Sequence, residues 1–170
     1  MNRTRRNHRH GTAGFTLLEV MVALIVLSIG VLGVAKLVLS AVKANDSAFV
    51  RGQAMSLTYA ILDSMRANRQ TAINGGYATD FGVAAPNPGP CEGVTTCAAA
   101  TLAQYDLYRW KQRLLTAVPS GDGKVVTATA NGMVLATITV RWDDSVAQWA
   151  FGTAPTSAPP PTTISLQSVL

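Results

Sequence analysis

Gly14-Phe15-Thr16-Leu17-Leu18-Glu19-Val20 stands between a basic, polar leader and a long apolar run. From Val20 to Ala35 no residue is charged, and lysines mark the far side of the run. A membrane-spanning helix needs about 20 mostly apolar residues. The stretch therefore predicts a marginal transmembrane helix over residues 15–43, with one carboxylate, Glu19, near its start.

The leader, residues 1–14, contains four arginines and no acidic residue, whereas the whole chain has a formal net charge of +5. Without the leader the chain is therefore nearly neutral. Positive charge ahead of an apolar run is typical of a membrane-inserted segment, while a nucleic-acid-binding domain carries its basic patch on the folded part. We therefore expect a lipid bilayer, and no nucleic acid, among the partners.

Glu19 is expected to be functional, because an acid inside an apolar segment costs about 2.5–3.5 kcal/mol on insertion scales. Cleavage between Gly14 and Phe15 would create a free amine as its partner. In a stack of offset helices, Glu19 of one subunit would meet the Phe15 amine of its neighbour and fix the axial register. Two other interpretations stay open: a capping box from Thr16 to Glu19, and an ordinary secretory signal cut after Val42-Lys43-Ala44.

The helical pattern continues beyond the apolar run. Between Ser47 and Gln70 there is no proline, and apolar residues recur at steps of three and four opposite a polar face. This spacing predicts an amphipathic continuation of the same helix over residues 44–70. The apolar stripe consists of Val50, Ala54, Leu57, Ile61 and Met65.

Residues 71–101 are rich in Gly, Pro and Ala and contain both cysteines of the chain, Cys91 and Cys97. A long loop in a compact domain needs something to fix it. If the anchor places the loop outside the cytoplasm, a disulfide between the two cysteines is expected, with two free thiols as the alternative.

A second helix is predicted over residues 102–118, with an apolar face that includes Trp110, and Pro119 ends it. Antiparallel strands are predicted over residues 124–170. Asn131-Gly132 suits a two-residue type I′ hairpin turn between strands 125–130 and 133–142. Segments 146–151 and 164–170 are predicted as further strands, the first of them pairing next across Asp143-Asp144-Ser145. The predicted fold class is α+β, with a long N-terminal helix packed on an antiparallel sheet.

Catalytic, cofactor-binding and metal-binding residues are not predicted. Both histidines, His8 and His10, lie in the leader, so the cleaved chain would lack the commonest general base and metal ligand. The acidic pair Asp143-Asp144 suits a polar turn better than a calcium site. The three tryptophans lie on amphipathic elements, so we interpret them as core residues.

The stretch from Gly14 to Val20 resembles the class III signal of type IV prepilins and type II secretion pseudopilins. The resemblance implies that a prepilin peptidase cuts after Gly14 and N-methylates Phe15, and that Glu19 is the fifth-position glutamate of the mature chain. Many major pilins have a proline in the second half of the apolar segment, whereas here only Gly30 and Gly33 interrupt it. These glycines suit either close helix packing or local melting on assembly.

The chain as a whole is similar to the minor-pilin group called type IV pilus modification protein PilV. The resembling stretches are Leu17–Leu24, Tyr105–Lys111, Val118–Gly121 and Thr139–Asp144. The resemblance implies a structural subunit, not an enzyme, that lies in the inner membrane with a periplasmic head and then in the fibre, at or near its tip. Implied partners are other minor pilins, the major pilin, the peptidase and the inner-membrane assembly platform.

Three other functions stay open at this point. A minor pseudopilin of a type II secretion system would carry the same N-terminal motif. A membrane-anchored periplasmic enzyme is disfavoured by the missing histidines and by the absence of a Gly-rich phosphate loop in the sequence. An adhesive tip module would use the loop over residues 71–101, but nothing in the sequence names a ligand.

Overall fold

The apolar run and its amphipathic continuation form one helix, α1 (Leu17–Ala67), in the computed structural model, which describes residues 14–89, 91, 96–145 and 160–170. Within those residues two shorter helices and three strands follow. They are α2 (Arg69–Ile73), α3 (Ala99–Ala117), β1 (Asp122–Ala130), β2 (Met133–Trp142) and β3 (Thr162–Val169). The predicted α+β class, a long helix followed by a shorter helix and an antiparallel sheet, is confirmed.

The chain divides into two compact units, the N-terminal unit (Met1–Val42) and the C-terminal unit (Lys43–Leu170). In the N-terminal unit every residue from Gly14 to Val42 is exposed. Nevertheless the apolar part of α1 reaches a mean hydropathy of 2.6, and by length and composition the helix can cross a membrane. An apolar helix without burial inside the chain fits a bilayer or a helix bundle better than water.

In the C-terminal unit the second part of α1 contributes one face to the hydrophobic core. Ala54, Ile61 and Met65 of the predicted stripe are buried, and Val50 and Leu57 are partly buried. The same face also buries Thr58, whose hydroxyl donates to the Ala54 carbonyl at 2.8 Å. This bond satisfies a polar group that would otherwise be costly to bury.

Helix α1 ends earlier than the predicted boundary at residue 70. Asn68 has φ −116° and ψ 50°, outside the helical region, and α2 begins directly after it. The Asn68 side chain Nδ2 donates to the carbonyl of Ala99, the first residue of α3, at 2.7 Å. The break thus places an amide side chain where it holds the start of α3, a contact that periodicity does not reveal.

The sheet is antiparallel with strand order β1-β2-β3. Both turn residues of the β1–β2 hairpin have positive φ, 51° for Asn131 and 76° for Gly132, as a type I′ turn requires. The predicted alternation along β2 is confirmed, since Ala136, Ile138, Val140 and Trp142 are buried.

The strand boundaries differ in part from the predictions. β1 begins at Asp122, three residues before the predicted strand over 125–130, and β3 begins at Thr162, two residues before the predicted strand over 164–170. The predicted strand over 146–151 lies outside the described residues. β1 and β3 pair with the two edges of β2, so no edge of β2 is left for the predicted pairing of this segment.

Helix α3 starts at Ala99, three residues before the predicted boundary, and buries Ala103, Leu107, Trp110 and Leu114 toward the core. Its close approach to β1 depends on Gly123, where an added Cβ would collide with the Trp110 ring. The Trp110 indole Nε1 donates to the Leu57 carbonyl at 3.0 Å and so links α3 to α1.

The segment between α2 and α3 is fixed on the sheet. Thr79 and Val125 exchange two backbone hydrogen bonds, of 3.1 and 3.0 Å, at the outer edge of β1. Tyr77 of the same segment is fully buried in the core. The predicted long loop is therefore held by an isolated bridge and an aromatic anchor as well as by its cysteines.

Candidate functional site

The segment ahead of α1 places a non-helical peptide directly before an apolar helix. Gly14, Phe15 and Thr16 precede the first helical residue and are exposed, with Phe15 at 85%. A side chain at Gly14 would meet no atom within 4 Å. The bond between Gly14 and Phe15 is therefore free of secondary structure and accessible, as a peptidase substrate has to be.

Glu19 is the acidic residue of the first turn of α1. Its backbone N–H donates to Thr16 Oγ1 at 3.2 Å, which is one of the two hydrogen bonds of a capping box. A carboxylate also suits the positive end of the helix dipole. Local capping is thus present, and it leaves the carboxylate exposed for a further partner.

Cys91 and Cys97 are joined in a disulfide, as expected from the loop that contains them. Their pairing closes a short loop between the Pro-rich segment and the start of α3. The bridge therefore restrains the connection just before a helix whose face forms part of the core.

A cluster of charged side chains that the sequence pattern does not predict lies where α3, β1 and β2 meet the loop between α2 and α3. Asp122 accepts four hydrogen bonds: from Lys111 Nζ at 2.9 Å, Arg141 Nη2 at 3.1 Å, and the backbone amides of Gly82 at 2.7 Å and Gly123 at 2.8 Å. A carboxylate has about four acceptor positions, so Asp122 is saturated. We call Asp122, Lys111 and Arg141 the charge cluster.

Two members of the charge cluster, Lys111 and Asp122, are largely removed from water, whereas the Arg141 side chain is 37% exposed. The Lys111 side chain is 8% exposed and that of Asp122 is 17% exposed. Burial by itself would raise the pKa of Asp122, but the hydrogen bonds from Lys111 and the two backbone amides outweigh it, so its pKa lies below the usual range. The ionised carboxylate is therefore the form that the fold stabilises.

Further contacts extend the charge cluster to the loop. Lys111 Nζ also donates to the Asp80 carbonyl at 2.8 Å, and the Arg141 guanidinium lies 4.3 Å from the centre of the Phe81 ring. At the surface, Lys124 pairs with the Asp80 carboxylate at 2.9 Å. These contacts hold residues 80–82 against the sheet.

Tyr77 and Asp106 form a further polar pair, in which Tyr77 is fully buried and Asp106 is partly buried. The Tyr77 hydroxyl donates to Asp106 Oδ2 at 2.7 Å. Burial, and then the bond to Asp106, raises the pKa of Tyr77, and burial raises the pKa of Asp106 despite that bond. The pair ties the loop to α3 and supplies no free nucleophile.

Comparison with family models gives two adjoining matches. The prokaryotic N-terminal methylation motif matches residues 9–35, and type IV pilin Tt1218 matches residues 36–108. Together they run over more than half of the chain, from the leader through the first half of α3. The chain belongs to the type IV pilin-like family. No curated protein and no solved structure matches it.

Family membership gives this pilin its general role. It is a pilin subunit of a type IV pilus-like system, and the family indicates a structural, non-enzymatic role. The methylation motif and the apolar helix fit an inner-membrane-anchored pilin that a prepilin peptidase processes.

The acidic pair Asp143-Asp144 of this pilin is engaged by protein donors. Asp143 Oδ1 accepts from the Ser145 N–H at 2.8 Å, and Asp144 Oδ2 accepts from the Ser47 hydroxyl at 2.9 Å. The hydrogen bonds from Ser145 lower the pKa of Asp143. Asp144 thus connects the end of β2 to α1, a structural use that agrees with the predicted polar turn.

The two tryptophans that the structure describes lie in the core, as expected. Trp110 and Trp142 are 3% and 1% exposed, while Trp149 lies outside the described residues. One signal for the missed charge cluster was present in the sequence, since Lys111 falls on the apolar face of α3 next to Trp110. A lysine on a buried face calls for an acid nearby, but which acid depends on the tertiary fold.

We expect this pilin to contain no free thiol when it is isolated from an oxidising compartment. Replacement of both cysteines by serine should lower the free energy of unfolding by about 2 kcal/mol, since a short closed loop removes modest chain entropy in the loop-closure model. Thiol labelling of denatured, unreduced protein and urea denaturation of the variant test the two statements.

A reduced sample is the control for labelling, because it should take up two labels per chain. Labelling of both cysteines without reduction would contradict the disulfide in the native protein.

Proposed function

We propose that this pilin is a minor subunit that takes part in initiating, assembling or modifying a type IV pilus, as the PilV group does. The observation that carries the proposal is the Gly14–Phe15 bond, exposed and non-helical, directly before an apolar helix with Glu19 in its first turn. The resemblance of the α3 and β2 sequences to the PilV group supports the minor role.

Each residue of this segment then has one role. Gly14 is the last residue of the leader, and Phe15 is the N-methylated first residue of the mature chain. Glu19 pairs with the Phe15 amine of an adjacent subunit and fixes the axial register. The pairing is favourable only at one stagger, because any other stagger leaves a charge unpaired in apolar surroundings.

The proposed organisation of the chain follows from these roles. Residues 1–14 form the leader, 15–43 the membrane and assembly helix, 44–70 its amphipathic continuation and 71–170 the periplasmic head. The subunit lies first in the inner membrane and, after assembly, in the fibre at or near its tip. Its partners are other minor pilins, the major pilin, the prepilin peptidase and the assembly platform.

Protein purified from its native host should begin with N-methylated Phe15, because the peptidase meets an exposed bond after Gly14. Intact-mass measurement checks this start. A Gly14→Ala variant should be cut almost as well, since a methyl group adds little bulk beside the cut bond, whereas the bulky side chain of Gly14→Leu should block cutting so that the uncut chain accumulates. A mature chain that starts at Asn45 would instead indicate an ordinary signal peptide.

A further inference from the structure

The outward face of the sheet carries a continuous apolar patch at its hairpin end. Successive side chains of a strand point to opposite faces, and Ala136 and Ile138 are buried, so Leu135 points outward. Cross-strand pairing sets Ala128 and Val169 beside Leu135. The sheet patch, as we call it, consists of Val126, Ala128, Ala130, Met133, Leu135 and Val169.

The sheet patch is uncharged and, apart from the partly buried Leu135, exposed. Val126, Met133 and Val169 keep 42%, 51% and 48% of their surface exposed. The charged residues of β1 and β2 lie at the opposite end of the strands, with Thr137 and Gln167 next to the patch. A contiguous apolar surface with a polar rim is typical of an interaction site.

The size of the sheet patch limits how it can be used. A stable interface involves roughly 20–30 residues a side, and the patch supplies six. Two copies in dilute solution would therefore not be held together by this surface. A contact of this size becomes useful between proteins that are already tethered side by side, since tethering raises the effective concentration to the millimolar range.

The apolar part of α1 supplies such a tether if it lies in the membrane or in a fibre, as under the proposed function. We propose that the sheet patch receives the uncharged, apolar face of a different pilin-type subunit that is anchored beside this one through its own N-terminal helix. This inference rests on the proposed minor role, because a subunit present in few copies has mostly other subunits as neighbours.

The test uses the full chain with the photo-cross-linker p-benzoylphenylalanine in place of Met133, expressed in the native host. Irradiation should give an adduct whose partner, identified by mass spectrometry, is another protein with a prepilin-type leader and an N-methylated first residue. Val169→Glu should lower the adduct yield about tenfold, because the contact would have to bury an unpaired carboxylate. Thr163→Glu, on the same strand and the same face, should leave the yield unchanged.

Three outcomes would overturn the inference: an adduct only with a second copy, no pilin-type adduct, or an undiminished yield with Val169→Glu. If Val169→Glu fails to fold, Val126→Thr keeps the shape, and a yield equal to that of the parent chain would overturn the inference as well. Failure of the proposed function looks different. In that case the chain stays uncut or is missing from sheared fibres whatever the state of the sheet patch.

Discussion

A Glu19→Val variant should be cut and inserted normally and yet be depleted about tenfold or more from sheared fibres. Removal of one partner of a desolvated charge pair costs about 3–5 kcal/mol, because the other charge is left unpaired. Under the proposed function that charge is the Phe15 amine of the neighbouring subunit. Membrane insertion should hold or improve, since valine removes the insertion penalty of the acid.

The C-terminal unit should keep its stability in this variant. Glu19 belongs to the N-terminal unit, whereas all the core residues that the structure describes belong to the C-terminal unit. The measurement is therefore a ratio, the processed variant in sheared fibres divided by the processed variant in the membrane, both set against the parent chain.

Two further variants separate charge from shape and from capping. Both substitutions keep the backbone hydrogen bond to Thr16 Oγ1. Glu19→Gln also keeps the shape and hydrogen-bonding capacity of the side chain but lacks the charge, so it should behave like Glu19→Val. Ile25→Val changes the same exposed helix without touching a charge and should enter fibres like the parent. Full incorporation of Glu19→Val would show that Glu19 is only a helix cap.

The parts of the fold that the sequence predicted are those set by local chemistry. The apolar run, the stripe from Val50 to Met65 and the alternation along β2 each follow from one element's own period. The hairpin turn at Asn131 and Gly132 follows because asparagine and glycine are among the few amino acids that adopt positive φ at low cost. The processing motif was predictable for the same reason, since it is a short contiguous stretch.

The parts that the sequence did not predict depend on which elements meet. Aspartates are mostly exposed in folded proteins, so the sequence does not indicate that Asp122 is partly buried. Its hydrogen-bond donors Lys111, Arg141 and Gly82 come from three other segments. Asn68 directly follows α1, and its side-chain hydrogen bond to Ala99 of α3 is a contact that no helical pattern encodes. The sequence predicts that the segment over 146–151 pairs with β2, because it follows β2 closely. In the structure β3, which lies farther along the chain, pairs with β2.

Replacement of Lys111 by methionine should lower the free energy of unfolding of the C-terminal unit by about 3 kcal/mol. The substitution keeps most of the buried aliphatic stem but leaves Asp122 without its closest cation, and breaking a buried pair typically costs about 3–5 kcal/mol. Asp80 also loses a donor to its carbonyl. For a domain whose total stability is about 5–15 kcal/mol, the loss is large.

Urea denaturation of the full chain in detergent, followed by the fluorescence of the buried Trp110 and Trp142, measures this effect. Lys124→Met is the matched control, because it breaks an ion pair on the same loop whose side chains are 35% and 57% exposed, and exposed pairs contribute little. A Lys111→Met/Asp122→Leu double variant should lose less free energy of unfolding than the two single variants together. The reason is that the double variant contains neither Lys111 nor Asp122 as a buried charge without the other.

The pH dependence of the free energy of unfolding provides a second test of the charge cluster. The pKa of Asp122 lies below its usual range in the folded chain, so its contribution is present above the unfolded pKa and is lost as pH falls through the folded one. Asp122→Asn should therefore flatten the acid-side loss of stability. If Lys111→Met is no less stable than Lys124→Met, and Asp122→Asn keeps the parent's acid-side slope, the charge cluster does not hold the loop to the sheet. In that case the bridge between Thr79 and Val125, together with Tyr77, has to account for that attachment.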